Sequence, residues 1–485
     1  MSKYIMFQGT SSHVGKSILT TALCRIFYRQ GLKVAPFKAQ NMALNSFVTK
    51  DGLEMGRAQV AQAEAAMLDP IVDMNPVLLK PTGNSTSQVI INGKAIGNMS
   101  AKEYHQGYSL KAFDAVKSAL DRLDKNFDLI VIEGAGSPAE VNLKANDIVN
   151  MRVAKYLNAP VILVADIDRG GSLAALVGTL ELLDADERDL VKGLVINKFR
   201  GDINLFTPAI DFLENKTNKP VLGVIPYIDK LGIDDEDSVS LDDKQNNSND
   251  SDLNIAIVRT PKISNFTDFD SLAGEVDVNL FYATNVDDLN AADLIILPGS
   301  KNTSEDLIYL RNNNFVNKIK SLADNGVAVI GICGGFQMLG EKIFDPLHTE
   351  SNNDFVEGFD LLPLTTTFAT EKFTKQVTID EINFDFLNIK IHSKNLDGYE
   401  IHSGVTNLGD KKIIADKNIF GTYIHGIFDN DDFRRQILNA IRQQKNLPAI
   451  KNTRNVRAEK QRNYERLAKI VSDNLNMELL KSFLN

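Results

Sequence analysis

Short apolar runs, each ending in a glycine-bearing or polar turn, recur along the whole chain. In the first half they occupy 4–7, 33–37, 128–132, 160–165, 193–196 and 220–225. In the second they occupy 253–258, 278–282, 294–297 and 327–332. Runs this short and this rich in Val and Ile predict buried strands. Apolar positions at helical spacing follow the first of them, at Ile18, Leu19, Ala22, Leu23 and Ile26. Repeating strand–helix units predict an α/β fold with mostly parallel, doubly wound sheets. The pattern lapses at 234–252, where Asp, Asn and Ser displace apolar residues and no core can form. Two such domains are therefore expected, at 1–233 and 253–445, joined by an exposed acidic, Asn-rich linker at 234–252. The charged tail at 446–485 carries Ala458, Leu467, Ile470, Val471, Leu475 and Leu479 near helical spacing, which predicts a docking helix.

The first run delivers Gly9-Thr10-Ser11-Ser12-His13-Val14-Gly15-Lys16-Ser17. A glycine loop between strand and helix, closed by Lys-Ser, is a phosphate cradle. Loop amides and the helix N-terminus face the anion, the lysine reaches terminal phosphates and the hydroxyl can bind Mg²⁺. Gly9, Thr10, Gly15, Lys16 and Ser17 are thus the expected ATP-binding set, although five residues rather than four separate the two glycines. Later strand ends add polar groups at the edge where open α/β sheets bind ligands. Lys38 follows 33–37; it either neutralises phosphoryl or carboxylate charge or is simply solvated. Glu133 follows 128–132 in a second glycine turn and suits Mg²⁺ held across phosphates. Asn197, before Lys198, resembles the base-reading strand ends of P-loop folds. The stretch 38–64 is dense in amides, as fits polar recognition or a capped loop, and Asp51 within it is a further metal-ligand candidate.

In the second half, 327–332 ends in Cys333-Gly334-Gly335. Amides at a helix N-terminus favour a thiolate, and the glycines let N–H groups approach a developing oxyanion. Standing alone, such a cysteine is better explained as core; the glycine turn at Gly299 and the distant His425 reverse that reading. Gly299, in Pro298-Gly299-Ser300, forms another glycine turn after a strand, and its amides can serve an oxyanion too. His425 lies at a further strand end, far from Cys333 in sequence, as nucleophile and base often are. A Cys333–His425 dyad is expected, with Gly299 and Gly334 at the oxyanion. His402 is the rival histidine, and its neighbours Glu400 and Gly404 suit a structural role equally well.

Composition narrows the class. With 485 residues, 43% hydrophobic and 24% charged, the chain can form more than one sizeable core. A net charge of −10 argues against a general nucleic-acid binder. Two cysteines, Cys24 and Cys333, make neither a disulfide framework nor a thiolate zinc site, and Cys24 is expected in the core. No run approaches the roughly 18–20 apolar residues of a membrane span, and the first residues are no signal peptide. A cytoplasmic location with no membrane partner is expected; the oligomeric state stays open.

Several long strings resemble the cobyric acid synthases, in one order and across nearly the whole chain: PFKAQNMALNSFVTKDGLEMGRAQ, MNPVLLKP, SQVIINGK, VIEGAGSPAEVNL, DIVNM, PVILVADIDRGG and INKFRGD. The phosphate loop resembles that of dethiobiotin synthetase and its relatives. The series PGS, GICGG, YEIH and YIHGIF resembles a class I glutamine amidotransferase domain of the cobalamin-pathway type. These resemblances imply amidation dependent on ATP, Mg²⁺ and L-glutamine, with a corrinoid acceptor: the b, d, e and g carboxylates of adenosylcobyrinic a,c-diamide. They imply that Cys333 attacks the glutamine amide, that His425 carries protons and that Glu133 matches a metal position. The rival readings are the sister a,c-diamide synthase, and a nucleotide-dependent binding module with an inert amidotransferase-like domain. Two positions depart from the pattern. His13 stands where relatives usually carry an acid, and Ile427 where most class I relatives carry a glutamate.

Overall fold

The computed structural model describes residues 2–83, 85–229, 231–233, 251–407, 409 and 411–484. A six-stranded, wholly parallel sheet organises the first half, in the order Val221–Pro226, Val191–Phe199, Val161–Asp166, Lys3–Gly9, Leu129–Glu133, Val34–Phe37. The strands Leu129–Glu133 and Val161–Asp166 are buried along nearly their whole length, as continuous Val/Ile runs covered on both faces require. Gly9 and Glu133 end neighbouring strands, so the phosphate loop and the second glycine turn converge on one edge. Cys24 is fully buried, as expected.

The second sheet runs Val278–Ala283, Leu253–Val258, Leu294–Leu297, Ala328–Ile332, Ile419–Thr422, all parallel, with Ile413–Asp416 antiparallel at its edge. Leu297 pairs with Gly331, and Ile332 with Thr422. The turns carrying Gly299, Cys333 and His425 therefore leave three adjacent strand ends, which is why residues so distant in sequence meet.

Two features depart from the expected pattern. Strands Thr365–Phe386 and Ile389–Thr406 make a long antiparallel ribbon that closes on Ile424–His425. Its alternating exposure marks a ribbon with one solvated face. The amide-rich region after Lys38 is not a capped loop. Gln40–Met42 joins Val77–Pro81, Thr86–Ile91 and Lys94–Ser100 in a mixed sheet, and Ser46–Val48 pairs with Glu54–Gly56 in a small hairpin. Strands this short carry little periodicity, so tertiary pairing decides them. The expected linker falls almost wholly on 234–250, outside the described residues.

The tail forms the helix Val456–Asn474, and it docks on the first half. Tyr464, Leu467, Ala468 and Val471 pack among Ile5, Leu19 and Leu23. The Tyr464 hydroxyl donates to Glu64 at 2.8 Å. Each large apolar side chain so buried contributes about 1.5–3 kcal/mol.

The two halves also share a buried ion triplet. Glu54 accepts from Lys80 of its own half at 2.9 Å and from Lys372 of the other at 2.5 Å. Burial alone would raise the Glu54 carboxyl, but Lys372 and Lys80 hold it far below the usual carboxylate range. Burial pushes Lys372 down to about 7 against the pull of Glu54. Glu54→Ala would leave two buried amines without their counter-ion, a loss of about 3–5 kcal/mol. The expected result is a lower thermal transition at pH 7 and faster proteolysis between the halves. An unchanged transition would show that the triplet does not join them.

Candidate functional site

At the phosphate end, Lys16 opens the first helix, so the preceding loop faces the helix N-terminus. Gly15 has φ +98°, and a Cβ there would lie 2.0 Å from Asn197 Nδ2. Lys16 Nζ donates to Ser11 O at 2.9 Å and Gly136 O at 3.0 Å, tying the two glycine turns together. The Ser17 hydroxyl donates to Glu133 Oε1 at 2.9 Å, and Lys38 Nζ pairs with the same oxygen at 2.9 Å. Gln62 Nε2 donates to Glu133 Oε2 at 2.6 Å. The structure thus gathers Ser17, Lys38 and Glu133 at one point. Lys38 is buried, which corrects the solvated alternative. A hydroxyl and a carboxylate are the hard oxygen donors Mg²⁺ takes, so Ser17 and Glu133 fit such an ion.

Other expected residues are placed differently. Asp51 is exposed at the tip of the 46–56 hairpin, where Gly52 O accepts from Thr374 Oγ1 at 2.6 Å; it is not brought to Ser17 and Glu133. Asn197 Nδ2 donates to Val14 O at 2.8 Å and braces the loop. His13 is exposed, at φ +60°. Beside Gly136 opens a cavity of about 720 Å³, lined among others by Met42, Tyr104, Phe113, Arg152 and Tyr156.

At the thiol end, Cys333 joins the strand Ala328–Ile332 to the helix Gly334–Leu339 at φ +50°, ψ −107°. A non-glycine residue held there stores strain of the kind that gathers at active sites. Close packing enforces the turn: a Cβ on Gly335 would lie 2.0 Å from Leu297 O, and one on Gly334 2.9 Å from Ser300 N. Gly299 lies against the base, since a Cβ there would be 3.1 Å from His425 Cε1. The Ser300 hydroxyl, bonded to Asp306 at 2.5 Å, holds that turn. Cys333, Gly299, Gly334 and His425 are therefore brought together, as expected.

His425 is 1% exposed, and its Nδ1 lies 2.6 Å from Asp268 Oδ2. Asp268 Oδ1 accepts from Gly426 N at 3.0 Å. A carboxylate thus orients the imidazole although Ile427 is a buried apolar residue. His425 Nε2 is buried with no hydrogen-bond partner among the described residues, and the ring lines one pocket with Cys333. Burial alone would lower this imidazole; the Asp268 carboxylate and then Cys333 outweigh it and raise it to about 10. His402 lines the same pocket, but its Nδ1 is engaged by Gly404 O at 2.8 Å and its ring stacks on Tyr423.

Asp268 is the residue that spacing did not identify as functional. Its place in the turn Phe266–Phe269, soon after the carboxyl end of the strand Leu253–Val258, was the available signal. The pocket also draws Lys80 from the first half, beside Lys301, Glu350 and Lys372 of the second.

Comparison with known proteins agrees with this division. Residues 5–240 match the CobQ/CobB/MinD/ParA nucleotide binding domain, and residues 254–433 the CobB/CobQ-like glutamine amidotransferase domain. The chain is 50% identical over 505 residues to cobyric acid synthase of Moorella thermoacetica, covering 100% of this chain and 98% of that protein. It is 50% identical over 497 residues to cobyric acid synthase of Carboxydothermus hydrogenoformans, covering 100% of both. A solved structure of PurLQS from Thermotoga maritima matches 40% of this chain, and 99% of that one, at 17% identity and a TM-score of 0.30, too slight to add to the argument. No described helix is long and apolar enough to cross a membrane. The chain belongs to the cobyric acid synthase family and is an ATP-dependent, glutamine-hydrolysing, amide-forming ligase of cobalamin biosynthesis.

Proposed function

We propose that residues 253–445 release ammonia from L-glutamine, and that residues 1–233 use it to amidate the b, d, e and g carboxylates of adenosylcobyrinic a,c-diamide. The tail, 446–485, ties the two together. The observation that supports the first step most directly is the buried Asp268–His425 pair beside Cys333. Cys333 Sγ attacks the amide carbon of glutamine. The imidazole passes the thiol proton to the leaving nitrogen, and ammonia departs from a γ-glutamyl thioester. Asp268 keeps the second proton on Nδ1 and steadies the imidazolium. Amides of the Gly299 and Gly334 turns face the developing oxyanion. Water then cleaves the thioester to glutamate and restores the thiol.

In the first half, a carboxylate oxygen of the corrinoid attacks the terminal phosphorus of ATP and ADP leaves. Ammonia then attacks the acyl carbon and phosphate leaves. Lys16 and Lys38 offset the charge that gathers on the transferring group. Ser17 and Glu133 would hold Mg²⁺, which when bound neutralises phosphate charge. The cavity beside Gly136 takes the corrinoid edge against Met42, Tyr104 and Phe113. A cytoplasmic setting supplies both ATP and glutamine.

Lys16→Ala, assayed with adenosylcobyrinic a,c-diamide as acceptor, is expected to lower synthesis about 10²–10³-fold whether glutamine or free ammonia is the nitrogen source. A variant that kept the ammonia-supported rate would remove this loop from the reaction. A wild-type protein that amidates cobyrinic acid at a and c, but not this acceptor, would overturn the substrate.

A further inference from the structure

We infer that Asn45, in the ATP-binding half, is a positioning residue for the glutaminase base, holding Asp268 and through it His425. The inference rests on the glutaminase reading above and adds to it a control from the other half of the chain.

The contact is a reciprocal pair. Asn45 Oδ1 accepts from Phe266 N at 3.1 Å, and Asn265 Oδ1 accepts from Ser46 N at 2.9 Å. All four residues are buried. Asn265 sits at φ +53°, a left-handed conformation that asparagine tolerates better than most residues, and it heads the turn Phe266–Phe269. Asp268 N donates back to Asn265 O at 3.0 Å. The clamp therefore grips the short turn from which Asp268 reaches His425.

The same segment reaches the imidazole from a second direction. Ser46 O accepts from the Tyr399 hydroxyl at 3.0 Å. The Tyr399 ring stacks on His425, with centroids 5.3 Å apart and planes 21° from parallel. Phe266 and Asp268, in one short turn, link Asn45 to the edge of the base, and Tyr399 links Ser46 to its face. Any buried interface needs its polar groups satisfied, and that alone would explain two hydrogen bonds. It does not explain why both lead to the same imidazole. At its other end the segment continues from the strand Gln40–Met42, which starts just after Lys38, the lysine paired with Glu133. The base of one reaction and the phosphate site of the other are joined by a few residues of backbone.

The test compares Asn45→Ala and Asn45→Asp in the full chain. Asn45→Ala removes the acceptor. It should lower the glutamine-supported kcat about tenfold, with KM for glutamine and the ammonia-supported rate each kept within about twofold. The basic limb of the glutaminase pH profile should move to lower pH, because a loosened Asp268 stabilises the imidazolium less. Asn45→Asp keeps an acceptor for Phe266 N and should recover most of the rate. In an Asp268→Asn background, Asn45→Ala should cost less than about twofold more, because it acts through that carboxylate. Equal losses with glutamine and ammonia, additive losses in the double variant, or an unaltered Asn45→Ala enzyme would overturn the inference. Cys333→Ala separates the two levels. If it retains glutamine use, the glutaminase reading itself fails; if it loses glutamine use while Asn45→Ala is unaltered, only the role of Asn45 fails.

Discussion

Cys333→Ala is expected to lower glutamine-supported amidation by about 10⁴-fold or more while leaving ammonia-supported amidation within about twofold. The first figure follows from removing the atom that forms the covalent bond: glycine turns and a base alone leave glutamine hydrolysis without a nucleophile. The second follows from where the thiol lies. Cys333 faces Ile401 O, His425 and the Gly299 turn, whereas the phosphate loop is built around Glu133 in the other sheet. Packing does not confound the result. The change removes one buried sulfur, and alanine meets the same φ of +50° that cysteine already tolerates. Measuring product with glutamine and with ammonium salt in parallel, at matched ATP, decides it. Loss of both rates in a folded variant would mean that the two reactions are not separable sites.

Much of this arrangement was legible because α/β proteins place ligand groups at strand ends, and strand ends are marked by apolar runs that stop at glycine. That logic located Lys16, Ser17, Glu133, Cys333 and His425 without any knowledge of pairing. It left open the residues whose role depends on partners that spacing cannot name. Lys38 could be weighed as solvated because nothing local shows that Glu133 faces it across the sheet edge. Asp51 stood as a further metal candidate beside Glu133, and the hairpin sets its tip against Thr374. Asn197 holds the phosphate loop by Val14 O, a contact fixed by the register of neighbouring strands. The ribbon Thr365–Phe386 and Ile389–Thr406 escaped because its apolar positions alternate with charges and form no continuous run. In each case the missing information was tertiary.

The orienting carboxylate is the most consequential such omission, and it carries the second large effect. Asp268→Asn is expected to lower glutamine-supported turnover about 10³–10⁴-fold, again sparing the ammonia-supported rate. The substitution preserves shape, and its remaining carbonyl oxygen can still accept from Gly426 N, as Oδ1 does now at 3.0 Å. What changes is the group 2.6 Å from His425 Nδ1. An amide NH₂ there would donate to Nδ1 and push the imidazole proton to Nε2, the nitrogen that must accept the thiol proton. The charge argument points the same way. Asp268 is the foremost influence raising the imidazole to about 10, so the ring that has received the thiol proton holds it well past neutral pH, and loss of that proton before it reaches the leaving nitrogen sets the basic limb of activity. Removing the carboxylate lowers that value. The basic limb should therefore move to lower pH, with residual activity falling fastest on the alkaline side. Single-turnover thioester formation, followed across pH in Asp268→Asn and the parent, measures both effects at once. A variant with parental thioester formation and an unmoved basic limb would show that this carboxylate does not orient His425, and that the imidazole needs no partner beyond the thiol.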